Sequence, residues 1–307
     1  MGLKSKSPIR QKLCAAGVLC GKPRAAASFP GSMALKTRRS ITTFAALVIV
    51  AFTVTFAVAQ RGRRSTPDRS EYPQWELDPQ FQKDVFTFAR VQFDSYAGNR
   101  FGGWRNDFPD CDWNFSVRLK ELTSYEVDPN GVVVRLTDDN LMDYPFLYMS
   151  NIQQMRLTSA ESDAMRSYLL NGGFIMADDI WGPIAWEHIQ SEMKNVFPDR
   201  EPVELPYDHP LFSMVYHLKV IPQVPSIRAW ERGMTYEDWH GDMRGDTAPH
   251  FWAYLNDTGH IMALVCLNND IGDGWEREGQ SKEYFMKYSQ KVSYPLGINI
   301  VTYAMTH

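Results

Sequence analysis

The sequence predicts an α/β domain built on a mainly parallel central sheet, and three observations carry that reading. Residues 144–197 run strand, helix, strand, helix, an order that implies parallel strands joined by crossovers. "FWAYLNDTGHIMALVCL" sets two apolar runs around Asn256-Asp257-Thr258-Gly259, the composition of a hairpin turn. The chain has 307 residues, 44% hydrophobic and 13% aromatic, enough for a substantial core.

The elements follow in order. "DVFTFARVQF", 84–93, is rich in β-branched and aromatic residues and reads as the first strand. A loop with four glycine or proline residues comes next. In "DWNFSVRLKELTSY", Phe115, Leu119 and Leu122 recur at helical spacing, with Asp112 as the expected N-cap. "GVVVRLT" is a short strand after the turn "DPNG", and "YPFLYMS", 144–150, is an apolar run of strand length. The next helix has the clearest signals. Thr158 and Glu161 form a capping-box pattern, Ala164, Met165, Tyr168 and Leu169 supply one apolar face, and Gly172 suits the left-handed residue past the end. "FIMA" follows as a buried strand. "GPIAWEHIQSEMKNVF" then reads as a helix with Pro183 in its first turn and Ile189, Met193 and Val196 inward. Beyond Phe197 four prolines loosen the pattern, and "YPLGINIVTYAM" closes the chain as a helix despite its β-branched residues.

Ahead of this domain the composition changes sharply. Residues 1–40 form a basic leader with nine Lys or Arg and no acid, and residues 41–60 carry no charge. All 36 acidic residues and the other 23 basic ones lie beyond, a net of −13. So acidic a domain argues against non-specific nucleic-acid binding, which needs a basic surface. "ITTFAALVIVAFTVTFAVA", 41–59, is long enough to span a bilayer and also has the form of a signal-peptide core, with "AVA" before Gln60 as a cleavage site. Met33 opens a signal n-region of ordinary length, so residues 1–32 read as an over-extended start. In either form the basic leader stays in the cytoplasm and the acidic domain goes outside. Residues 60–80 are polar and proline-punctuated, a linker, and 81–307 form the domain. Of four cysteines, Cys14 and Cys20 lie in the leader. Cys111 and Cys266 could pair outside the cytoplasm or remain buried thiols, and their spacing excludes the usual zinc patterns.

The motifs of dinucleotide-binding, P-loop, zincin and α/β-hydrolase proteins are missing. Three constellations remain. Asp178 and Asp179 follow the "FIMA" strand, where ligands bind in open α/β sheets, with Trp181 just beyond. Paired carboxylates can hold a divalent cation or divide acid and base roles. The plainer reading makes them caps of the following helix, with Asp179 the better cap and Asp178 the better functional candidate. Asp208 and His209 in "YDHPLF" could supply a base or a metal ligand, or a structural loop histidine. "NNDIGDGWE" brings Asp270, Asp273, Trp275 and Glu276 close together, as a cation loop or a solvated turn. His188 and His240 are weaker candidates. Trp104, Trp181, Trp239 and Trp275 could form a carbohydrate or peptide platform, though most tryptophans are core residues.

With "YLLNGGFIMADDIWG", "DHPLF" and "YPLGINIVTYAM" in this order, residues 80–306 resemble the bacterial domain-of-unknown-function 4159 family. The resemblance implies a class I glutamine amidotransferase-like fold, a flavodoxin-like three-layer sandwich. In glutamine amidotransferases a strand enters a sharp elbow bearing a nucleophilic cysteine, and a later His-x-Glu completes the triad. By the resemblance, the elbow here holds Asp178 or Asp179. Neither Cys111 nor Cys266 has the G-x-C-x-G context, and no His-x-Glu is present, so glutaminase chemistry is not expected.

The resulting expectation is an exported, periplasmic or membrane-anchored domain. It binds a small molecule or an envelope protein at the strand carboxyl ends, without catalysis. Asp178, Asp179 and His209 are the catalytic candidates, and Trp181, Asp208, Asp270, Asp273 and Trp275 the ligand-binding ones. The first alternative is a hydrolase using Asp178 or Asp179 with His209, with or without a divalent metal; no other cofactor is identified. The second is a structural module of an envelope complex. No nucleic-acid partner is expected, and membrane contact runs through residues 41–59.

Overall fold

The computed structural model describes residues 69–80, 84–96, 103–238 and 245–307. The basic leader, the apolar segment 41–59, Trp239 and His240 lie outside the described residues. Among the described residues no helix is long and apolar enough to cross a membrane.

Seven strands make one sheet: β1 (Ala89–Val91), β2 (Val132–Val134), β3 (Phe146–Ser150), β4 (Phe174–Ile180), β5 (Val203–Glu204), β6 (His250–Leu255) and β7 (Ile261–Leu267). Their order is β2-β1-β3-β4-β7-β6-β5. The first five in that order pair parallel, and β6 and β5 add antiparallel at one edge. The β6–β7 hairpin is the one that "NDTG" predicts.

Alternation along the strands divides the core. Phe146, Tyr148, Phe174 and Met176 face α1 (Asp110–Leu122) and the carboxyl-terminal helix α5 (Tyr294–Thr306). Leu147, Met149, Ile175 and Ala177 face α2 (Ser159–Leu170) and α3 (Gly182–Val196). This period of two with both faces covered is why the central strands read as unbroken apolar runs. The Thr158–Glu161 capping box forms at the start of α2, and Gly172 takes φ +98° beyond its end. Ile189, Met193 and Val196 are buried on α3, as their spacing predicts. The helix α4 (Ile227–Glu231) is short.

Two local expectations fail, the first for a long-range reason. Asp112 does not cap α1, whose N-cap position is Pro109. It lies in the first turn, where the guanidinium of Arg90 on β1 claims both its oxygens, with Nε 3.0 Å from each. Leu122, the last residue of α1, is 49% exposed, although Leu119 in the same turn is fully buried. The end of the expected linker also docks on the domain. The Trp75 indole donates to the Val127 carbonyl at 2.7 Å, and Tyr72 meets Trp113 edge-on at 5.0 Å.

Candidate functional site

The sheet order reverses between β1 and β3, since β1 leads to β2 on one side and β2 leads to β3 on the other. Crevices at such reversals, beyond the strand carboxyl ends, are where open α/β sheets bind ligands. A cavity of about 360 Å³ lies at this end of the sheet. Asn106 and Asp107 enter it from the segment after β1, Asp179 from the end of β4, and Asp270 and Asp273 from the segment after β7. Glu237, Ser226 and the exposed arginines Arg228 and Arg232 close the other side.

The backbone here is unusual in one consistent way. Asp107, Asn151, Asp179 and Asn268 have φ of 61°, 53°, 56° and 57°, and they are the described non-glycine residues with positive φ. Asn151 and Asn268 directly follow β3 and β7, Asp179 lies in β4, and Asp107 sits in the long loop after β1. Asn and Asp tolerate this left-handed region better than other residues, and such strain gathers at functional sites. It also breaks the β4–β7 register between Ala177 and Ile180.

Strand β4 delivers its two acids to different places. Asp178 keeps the parity of Met176 and points into the layer beneath the crevice, where it is fully buried. Its Oδ2 accepts from the Gly272 amide at 2.8 Å and the Tyr148 hydroxyl at 3.2 Å, while Oδ1 is buried without a partner. Burial pushes this carboxyl up to about 7, against the hydrogen bonds from Gly272 and Tyr148 that hold it down. Asp179, turned by its left-handed backbone, lines the crevice. It accepts from Asn106 Nδ2 at 2.7 Å, Asn151 Nδ2 at 2.9 Å and the Trp181 indole at 2.9 Å. Burial, then Glu237 and Asp178, push its carboxyl up. Neither acid caps α3. Trp181 holds that N-cap position, and the Gly182 amide donates to Asn268 Oδ1 at 2.9 Å. The capping expectation for Asp179 is therefore corrected, and Asp179 rather than Asp178 is the acid that faces the cavity.

The segment after β7 contributes most of the remaining charge. Asp270 Oδ1 accepts from the Asp273 amide at 2.9 Å. Asp273 Oδ2 accepts from the Ile227 amide at 2.6 Å and its Oδ1 from Arg277 Nε at 3.2 Å. Arg277 also pairs with Glu276 at 2.6 Å. Burial raises the carboxyls of Asp270 and Asp273, and it lifts Glu276 to about 7. Asp107 is raised by burial, then by Asp273, Asp179 and Glu276. Its loop is held by Arg90, whose Nη1 donates to the carbonyls of Trp104 and Asn106 at 3.1 and 3.0 Å. One buried guanidinium thus ties β1, α1 and the crevice loop together.

The other expected site residues lie elsewhere. His209 caps the turn Pro210–Ser213 and packs 5.8 Å from the Tyr303 ring. Tyr303 in turn meets Phe174, the first residue of β4, and its hydroxyl oxygen accepts from the Ile261 amide at the start of β7. His209 and the exposed Asp208 therefore sit at the amino-terminal edge of the sheet, and the structure does not bring them to Asp178 or Asp179 at the opposite end. Trp275 is fully buried 4.4 Å from Phe115, a core residue rather than a ligand platform. Trp181 is 1% exposed and acts as a hydrogen-bond donor to Asp179. His188 contacts the Met155 carbonyl at 2.7 Å, a structural bond. Cys111 and Cys266 are free, buried thiols, which settles the alternative of a disulfide between them.

The family model for a domain of unknown function, DUF4159, matches residues 87–305, most of the chain and all of the sheet. The chain belongs to the DUF4159 family. Every residue of the crevice described above falls inside the DUF4159 match. No curated protein matches the chain.

Asn106, Asp107, Asn151, Asn268, Glu237 and the arginines were not singled out by sequence reasoning. A signal for two of them existed. Asn151 and Asn268 directly follow predicted strands, and the position rule applied to every strand, not only to "FIMA", finds them, whereas Asn106 and Asp107 lie far along the loop after the first strand.

Proposed function

We propose that this DUF4159 domain binds a small, hydrophilic, zwitterionic ligand in the carboxyl-end crevice, without glutaminase chemistry, outside the cytoplasm. One observation carries the reading: carboxylates from three separate strand ends converge with Arg228 and Arg232 around one cavity. Carboxylates of this kind take up ammonium groups or hydroxyl donors, and the exposed guanidiniums at the opposite side suit an anionic group. The buried thiols of Cys111 and Cys266, both raised by burial, argue against a cysteine nucleophile. Export by way of residues 41–59 follows from their composition and from the acidic domain behind them.

The finer fold placement is part of the same proposal. The order β2-β1-β3-β4 followed by a fifth parallel strand is that of a flavodoxin-like sheet. Asp179, in a left-handed conformation between β4 and α3, occupies the place where glutamine amidotransferase-like folds carry their elbow.

Thermal unfolding of the full chain with lysine, arginine and glucosamine 6-phosphate, against acetate and glucose as controls, tests the reading. At least one zwitterion is expected to raise the melting temperature in a saturable way, and Asp270→Asn is expected to weaken that effect. A flat response to all three at concentrations of about 10 mM would defeat the proposal, since a bound ligand must stabilise the state that binds it.

A further inference from the structure

Carboxylates crowd one end of this sheet, and buried oxygens of three of them, Asp107, Asp178 and Glu276, have no hydrogen-bond partner. Of these three, Asp107 is the one that lines the cavity, and it points to a ligand. It is 7% exposed, it lines the crevice, and its Oδ2 has no hydrogen-bond partner. A buried carboxylate oxygen with no donor is costly unless something else compensates it. Asp107 lies with Asp273 and Glu276 such that one oxygen from each falls within 4.8 Å of the others. Asp273 and Glu276 stand three apart on one helical turn, which places them on the same side of it.

The structure assigns to Asp107, Asp273 and Glu276 a binding site for a hard divalent cation of the calcium, magnesium and manganese class. The donor set is all carboxylate oxygen, which suits these ions and not zinc or copper. A separation within 4.8 Å matches the span across a cation with metal–oxygen bonds of about 2.4 Å. Charge agrees as well. The three carboxylates carry three negative charges, Arg277 pairs with two of them, and one divalent cation brings the group to neutrality. Arg90 does not enter this count, because Asp112 matches it. The cation would join the loop after β1 to the turn after β7, and so close the crevice along one side. Gly272 is the cradle between them, since a Cβ there would lie 3.2 Å from Asp107 Oδ2 and 2.4 Å from the Tyr148 hydroxyl.

The inference rests on the reading of this crevice as a ligand site, and its test is separate. The full chain, stripped with a chelator, is titrated calorimetrically with calcium, magnesium or manganese chloride alone, at ionic strength matched by sodium chloride. One of the three ions is expected to bind with a stoichiometry of about one and to raise the melting temperature. Asp107→Asn and Glu276→Gln, whose metal-free melting curves report their folding, are each expected to lower that affinity roughly tenfold or more. Absence of binding by all three ions would overturn the assignment. So would undiminished affinity in Asp107→Asn, which would place the ion elsewhere. Cation binding with a flat zwitterion response would remove the zwitterion proposal and leave the cation site standing, and the converse result would do the opposite.

Discussion

Asp178→Asn separates the ionisable character of Asp178 from its shape. The folded-state carboxyl is held up to about 7 by burial, while an aspartate in the unfolded chain titrates near ~3.9. The folded protein therefore binds the extra proton between these values. Stability from this group is fully present at low pH and is lost as pH rises toward about 7. Three units of difference correspond to about 4 kcal/mol, and the slope for one proton is at most ~1.4 kcal/mol per pH unit. Asparagine never ionises, so it escapes that loss. Its amide instead places two N–H donors where Oδ1 now has no partner, a penalty of about 1–3 kcal/mol at any pH.

The two terms predict curves that converge and then cross. At about pH 5, roughly one unit above the unfolded value, the wild type has already lost about 1.5 kcal/mol, so the variant's deficit is the amide penalty less that amount. At about pH 8 the wild type has lost up to about 4 kcal/mol from this site, and the variant equals or exceeds it. Urea unfolding followed by tryptophan fluorescence at four pH values from about 5 to 8 measures both curves. The other raised carboxyls of the crevice remain in both proteins, so the difference isolates Asp178 together with its repulsion of Asp179. Parallel curves with a constant offset would refute the reasoning, because they would mean that Asp178 is already ionised in the fold at pH 5.

Two further perturbations test the supports of the crevice. Arg90→Met leaves the buried Asp112 charge without its partner and frees the carbonyls of Trp104 and Asn106; a loss of about 3–5 kcal/mol in urea unfolding is expected, with part of it recovered in Arg90→Met/Asp112→Leu, and a loss under about 1 kcal/mol would show the pair to be dispensable. Gly272→Ala pushes a methyl against the Tyr148 hydroxyl at 2.4 Å and is expected to destabilise by about 1–3 kcal/mol, with partial relief in the double variant carrying Tyr148→Phe; an unchanged unfolding midpoint would show that this packing yields freely.

What could be read from the sequence was set by range. The capping box of α2, the β6–β7 hairpin and the inward face of α3 rest on residues within one or two turns of each other, and each formed where the pattern placed it. Asp112 shows the limit. Its position before an apolar helical pattern is a sound capping signal, yet Arg90, twenty-two residues earlier, offers a buried partner that a cap cannot match. Trp275 shows the same limit in reverse. Set among glycines and acids it looks like a loop residue, but α1 and α5 close over it, and Gly297 is there to let the indole in, with Trp275 carbon only 2.5 Å from where a Cβ would stand. His209 was misplaced because the proline-rich segment after α3 returns to the opposite edge of the sheet, a path that no local pattern encodes.

The "ADD" triplet carries the most instructive difference. A strict period of two puts Met176 and Asp178 on one face and Ala177 and Asp179 on the other, so both acids should be lost between sheet and helices. The structure keeps that parity through Asp178, which accordingly ends beneath the crevice against Tyr148 and Gly272. At Asp179 the backbone turns left-handed, and the side chain swings into the cavity to meet Asn106, Asn151 and Trp181. That conformation is strained for an L-residue, and three donors from three segments hold it in place. The same turn recurs at Asn151 and Asn268, each directly after a strand, and at Asp107 in the loop beyond β1. Three strand ends and one loop bent in one sense, with residues chosen from the two types that tolerate it, are hard to ascribe to packing alone. Asp107 and Asp179 face the cavity, Asn151 holds Asp179 in place and Asn268 accepts from the Gly182 amide, and this arrangement, more than any single acid, marks the crevice as the part of the fold built to hold something.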